Sequence, residues 1–186
     1  LATVEYLERD SFFDGGFFQN MIHSGINAYL TLDIAQSLLR AGQPERAWPM
    51  IRRVAELASS TGHWPEAIHP RTGGGCMGDG QHVWAAAEWF MIIRSLFVRE
   101  EGDSLVIASG LPPELLQSGQ WLRFGPTWTA WGQVEVAVDT AGSAPRVHVH
   151  GRWHDRAPRT IACLPGWMDT AVPADGSAVE LVPEPQ

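Results

Sequence analysis

The sequence predicts an α+β chain, with a helical part over residues 1–102 and a β-rich part over residues 103–186. Three observations carry this expectation. Apolar residues recur at helical spacing over 22–41 and again over 45–60. Residues 83–97 form one long apolar stretch. After residue 103 the pattern changes to short, often alternating runs separated by Gly, Pro and Asp.

The elements follow in order. Residues 1–21 read as a lead-in, and Ser11–Asn20, aromatic and glycine-rich, as a shaped loop with no helical period. The first helix, 22–41, carries Ile22, Ile26, Tyr29, Leu30, Ala35, Leu38 and Leu39, with Gly42 as its stop. Pro44 opens the second helix, 45–60, at a position where a missing N–H costs nothing. Its apolar side holds Trp48, Ile51, Val54, Ala55 and Ala58, while Arg46, Arg52, Arg53 and Glu56 face water. The pair reads as an antiparallel helical hairpin. Residues 61–81 form a long connection of the kind that is usually functional. Trp64, Ile68 and Met77 in it call for burial. A third helix, about 82–99, is apolar nearly all round and therefore predicts cover on every side. Three helices cannot supply that cover. The β half, another subunit, or helices of a longer parent chain must do so, the last being favoured. Leu1 opens the sequence without an initiator Met, which fits a processed chain or a fragment. Downstream, strands are expected at 105–109, 121–124, 127–131, 134–139, 147–151, 160–164 and 178–182, with a helical turn at 112–117. They are read as antiparallel, in a sandwich or a sheet packed on helices.

Composition narrows the function. The net charge is -8 with no basic run, which argues against nucleic acid and anionic membranes as partners. No apolar run is long enough to cross a bilayer. Cys76 and Cys163 make no metal-type pair, and free thiols in a reducing, cytoplasmic compartment are expected. Nine Trp in 186 residues is a heavy load; core filling is the plain reading for most of them, and the sharper one makes some of them platforms for sugar rings.

The stretch His63–Ile68, with its Trp64-Pro65-Glu66 core, a glycine-rich loop, and then Gly78–Trp89 resembles a segment late in the (α/α)6-toroid glycoside hydrolases. The similarity is to glucoamylases and to the C-terminal domains of glycogen-debranching-type enzymes. Phe12–Asn27 with Leu38–Gly42, and Leu105–Pro113 leading into Leu122–Val138, resemble the flanking inner helix and the exit into a β tail. The resemblance covers most of the chain and about a third of a twelve-helix ring. It implies an inverting glycosidase acting on an α-glucan or related oligosaccharide, of which this chain is the C-terminal part. Inversion requires two carboxyl groups about 6.5–9.5 Å apart. The resemblance assigns the general base to Glu66 and places the other carboxyl upstream of Leu1. It implies no cofactor, and as partners a carbohydrate substrate and the remainder of the parent chain or another subunit.

Trp64, Trp84, His82, Asp79, Asp14, Gln19 and Asn20 are the candidate substrate-binding residues. Each has a plainer role open to it. Glu66 fits a loop ion pair or a cap, and Asp79 fits the cap of the helix that follows. His82 fits a structural helix-terminal role, Trp84 fits a core, and Asp14, Gln19 and Asn20 fit turn bonding. The glycines at 73, 74, 75, 78 and 80 match no phosphate-binding motif. His63, His69, Cys76 and His82 lack the spacing of a zinc site. His148 and His150 share one face of a strand, expected to be solvated, and His154 follows them. Two other functions stay open: non-catalytic carbohydrate binding, and a structural or interaction module. Lyase or epimerase chemistry on the same toroid is a further alternative.

Overall fold

The computed structural model describes residues 1–20 and 24–185. The chain is mixed α+β and divides into two compact units, Leu1–Ile93 and Arg94–Gln186. The division falls inside a helix rather than after residue 102.

The first unit opens with helix α1, Ala2–Asp10, which the sequence reading took as part of the lead-in. It buries none of its residues fully. Strands β1 (Phe12–Phe13) and β2 (Gly16–Gln19) then pair antiparallel, so the glycine-rich segment is a hairpin. Asp14 (φ 50°) and Gly15 (φ 79°) form its tip in the left-handed region. Strand β3, Gly25–Ile26, joins β2 and places Ile26 before the helix that was expected to contain it. Ile22 lies outside the described residues.

Helix α2, Ala28–Arg40, starts where Asn27 caps it, the Asn27 side chain accepting the Leu30 N–H at 3.0 Å. Its buried side includes Ala28, Leu32, Ala35, Leu38 and Leu39. Helix α3, Pro44–Glu56, has Pro44 in its first turn and buries Ala47, Met50, Ile51 and Val54. The two helices pack on each other across a three-residue connection. Each fully buried Leu or Ile among these contributes about 1.5–3 kcal/mol. Two short strands, β4 (Ala67–Ile68) and β5 (Gly75–Met77), lie in the long connection and complete a sheet in the order β1-β2-β3-β4-β5. Helix α4 runs from Val83 to Phe97.

This chain by itself covers only part of α4. Ala85 and Ile92 are buried, but Val83, Trp84, Phe90 and Met91 are exposed and line one side at helical spacing. The apolar content of this helix thus exceeds what this chain covers.

The second unit holds two four-stranded sheets. Strand β6, Val98–Glu101, continues directly from α4 and pairs with β7, Ser104–Ile107, through a tight turn. A short helix, α5 (Pro113–Leu116), follows. Strands β8 (Trp121–Thr129), β9 (Gly132–Asp139) and β10 (Arg146–Trp153) form an antiparallel meander. The two strands expected at 121–124 and 127–131 are one strand with an irregularity between Phe124 and Thr127. Strand β11, Arg159–Ala162, pairs parallel to β7, against the antiparallel expectation. The long excursion through the meander supplies the crossover that a parallel pair requires. Strands β12 (Thr170–Ala171) and β13 (Val179–Glu180) close the two sheets as β12-β11-β7-β6 and β13-β10-β9-β8. Val134, Val136, Val138, Val147 and Val149 give β9 and β10 a buried face, the period-two pattern that the sequence displays.

Candidate functional site

The candidate site of the first unit grows from the pairing of β4 with β5. Met77 opposes Ala67 and Gly75 opposes Ile68, which draws the glycine-rich strand against residues 65–66. Two glycines make this approach possible. A Cβ on Gly75 would lie 2.9 Å from the Pro65 Cβ. One on Gly78, which also has φ +69°, would lie 2.7 Å from the Glu66 Cβ. A cavity of about 470 Å³ opens here, lined by Pro65 and by residues 75–80.

Glu66 stands beside this cavity, half-buried against Gly78. Among the described residues its carboxylate has no hydrogen-bond or ion-pair partner. Asp79 lines the cavity and is exposed. The capping role expected for it is corrected: α4 begins four residues later, and Asp79 Oδ1 accepts the Gln81 N–H at 3.1 Å. That is a local turn of the kind Asp side chains favour.

His82 immediately precedes α4. Its backbone N–H donates to the Trp64 carbonyl at 2.8 Å, tying the helix start to the Trp64–Glu66 segment. Among the described residues its Nε2 is buried without a hydrogen-bond partner. The ring lies 5.3 Å from that of Tyr29. Tyr29 in turn stacks on Trp84, with centroids 4.5 Å apart and planes 20° apart. Trp84 is 55% exposed, so it belongs to no core in this chain and presents apolar ring surface to solvent.

Trp64 does not serve as a platform, and that expectation is corrected. It is only 5% exposed, its Nε1 donates to the Val54 carbonyl at 2.7 Å, and its ring packs 5.4 Å from Trp89. A buried indole with a satisfied N–H is core.

The hairpin residues are also engaged elsewhere. Arg53 binds Asp14 twice, donating through Nε to its carbonyl at 2.8 Å and through Nη2 to its carboxylate. Gln19 Oε1 accepts from Asn27 Nδ2 at 3.0 Å and so holds the residue that caps α2. Asn20 is exposed, with Ser24 Oγ at 3.4 Å. Only the Asn20 contact is local turn bonding; Asp14 is held by an ion pair to α3, and Gln19 by the cap residue of α2. The structure gathers Glu66, Asp79, His82 and Trp84 around the 64–84 segment and leaves Asp14, Gln19 and Asn20 in the hairpin.

Sequence reasoning missed one feature of this unit. Asp33 on α2 and Glu88 on α4 form a hydrogen-bonded carboxyl pair, one turn along from Tyr29 and Trp84 on their respective helices. Gln36 Nε2 donates to Glu88 Oε2 at 2.7 Å. Burial first, and then the charge and hydrogen bond of Glu88, push the Asp33 carboxyl up to about 6. The spacing of four from Tyr29 to Asp33 and from Trp84 to Glu88 was visible in the sequence. What was not visible is that the two helices align these positions. Among the described residues no three His, Cys, Asp or Glu side chains gather as a metal-binding group. Among them, too, no helix is long and apolar enough to cross a membrane.

Comparison with family profiles, with curated proteins and with solved structures gave no match.

Proposed function

We propose that this chain is part of an (α/α)-toroid glycoside hydrolase, with Glu66 as the general base of an inverting cleavage of an α-glucan or related oligosaccharide. The observation that carries the reading is the Glu66 carboxylate, which among the described residues stands without a partner beside a cavity of about 470 Å³. A carboxylate held by the fold yet free of any ion pair is available to take a proton from water. The Tyr29–Trp84 stack, joined through His82 to the Trp64–Glu66 segment, supplies an exposed ring face of the kind that packs on a pyranose. The helical hairpin of α2 and α3 and the uncovered apolar side of α4 suit a segment of a larger helical ring.

Release of reducing sugar from soluble starch and maltoheptaose tests this reading. The full-length parent hydrolyses one of these probes, and its Glu66→Gln variant loses roughly 10²–10⁴-fold in turnover, the usual contribution of a general base. Unchanged turnover in Glu66→Gln removes Glu66 from the chemistry. A second reading, binding without cleavage, is favoured by one observation: Asp79, the other carboxylate at the cavity, spends an oxygen on the Gln81 N–H. Saccharide binding with no reducing-sugar release would support it.

A further inference from the structure

The meander β8–β9–β10 has one buried and one open face. Cross-strand register fixes what the open face carries. Trp121 opposes Asp139, Arg123 opposes Ala137, and Trp128 opposes Gln133. On β10, Arg146 opposes Asp139, His148 opposes Ala137, His150 opposes Glu135, and Arg152 opposes Gln133. Directly opposed residues point to the same side of a sheet. Two indoles therefore stand among groups that donate and accept hydrogen bonds.

Trp121 is 48% exposed and Trp128 64% exposed. Each is held by neighbours rather than swinging free. The Arg123 guanidinium lies 5.3 Å from the Trp121 ring centre, and His148 lies 5.1 Å from it. Trp128 stacks against His154 at 5.9 Å. Beside Trp121 a groove of about 340 Å³ runs between Arg123, Glu135, His148 and His150. Gly125, at φ +119°, has no room for a Cβ, which would meet the Val134 carbonyl at 2.8 Å and the Glu135 Cα at 2.9 Å. Gly176 lines the other end.

We propose that this groove binds a neutral pyranose-based oligosaccharide, with Trp121 as the platform beneath a sugar ring and Arg123, Glu135 and His150 bonding its hydroxyls. An indole framed by directional polar groups matches the alternating C–H and hydroxyl faces of a pyranose. The charges of the face point to an uncharged ligand. Arg123, Arg146 and Arg152 are offset by Glu135, Asp139 and Glu180, the last paired with Arg146 at 3.0 Å. A polyanion would need an excess of cations, which this balance does not provide. The apolar surface is divided between two indoles roughly 20 Å apart along the strand. It does not form the continuous patch that a protein partner would need. This site is separate from the cavity beside Glu66 and does not depend on the chemistry proposed there.

Isothermal titration of the chain with maltoheptaose, cellohexaose and xylohexaose, and with heparin as the polyanion control, tests the proposal. One of the neutral probes binds, and heparin does not. Trp121→Ala weakens that binding about tenfold, equivalent to about 1.4 kcal/mol. Arg123→Ala, an exposed change that keeps the indole and removes a donor to the sugar hydroxyls, weakens it as well. Circular dichroism confirms that both variants are folded. Glu66→Gln leaves this binding unchanged while acting on hydrolysis, so failure of one proposal is read separately from failure of the other. Absence of binding by every neutral probe, binding of heparin alone, or full affinity in both Trp121→Ala and Arg123→Ala overturns the assignment.

Discussion

Replacing Asp33 by Asn probes the carboxyl pair that joins α2 to α4. Burial and the neighbouring Glu88 raise the Asp33 pKa from 3.8 to about 6. A raised carboxyl pKa means that the folded protein holds the proton more tightly than the unfolded chain does. The pair therefore costs stability once the proton is lost. That cost is absent below the unfolded value of 3.8, grows as the pH rises toward about 6, and is complete above it. A shift of about two units sets a ceiling of about 3 kcal/mol. Asp33 is partly solvated, and screening brings the expected cost down to about 1 kcal/mol. Asn keeps a donor for Glu88 without the charge, so Asp33→Asn removes the cost at neutral pH. Thermal melts followed by circular dichroism at about pH 7.5 should show the variant higher by about 2–4 °C. At about pH 4 the two proteins should melt together. A variant that melts lower at neutral pH, or that differs from the parent equally at both pH values, would refute the reasoning.

Three further outcomes follow from single contacts. Asn27→Ala removes the cap of α2 and the contact of this fully buried residue with Gln19, so denaturant unfolding should show a loss of about 1–2 kcal/mol. Trp64→Phe keeps most of the buried ring but orphans the Val54 carbonyl; the same measurement should read about 1–3 kcal/mol, whereas a surface platform would cost nothing. Cys163, whose thiol is pushed up to about 12 by burial first and then by Asp169, should stay unalkylated by iodoacetamide at about pH 8, where roughly one thiol in 10⁴ is ionised, and mass spectrometry reads the adduct directly.

The parts of the fold that were legible are those in which burial leaves a period. Helices α2 and α3 bury one side each and show it, and β9 and β10 alternate because one face is covered. Helix α1 is only nine residues long and buries none of them fully, so its apolar face, Val4 and Leu7, is too short to stand out. Strand β6 was hidden because it leaves α4 with no intervening turn, and because Arg99-Glu100-Glu101 reads as a solvated run although Arg99 is buried. The site divided in the same way. Glu66 and the glycines opposite it were marked by residue type and spacing. The burial of Trp64 depends on Val54 and Trp89, distant positions that no local pattern connects to it. Nor does local sequence show that the carboxylate of Asp14 meets Arg53 from the next helix but one.

Strand β8 ends its sheet, and nine residues of open backbone there invite a second copy to add on and propagate. Two details of the strand oppose that. Pro126 contributes no N–H at the point where the pairing with β9 already slips, so a newcomer finds a gap in the row of donors. Farther along, the Trp128 carbonyl is already taken by Arg94 Nη2 at 2.9 Å. The interrupted ladder keeps the longest strand of this protein from templating a fibre, while its side chains stay open to smaller visitors.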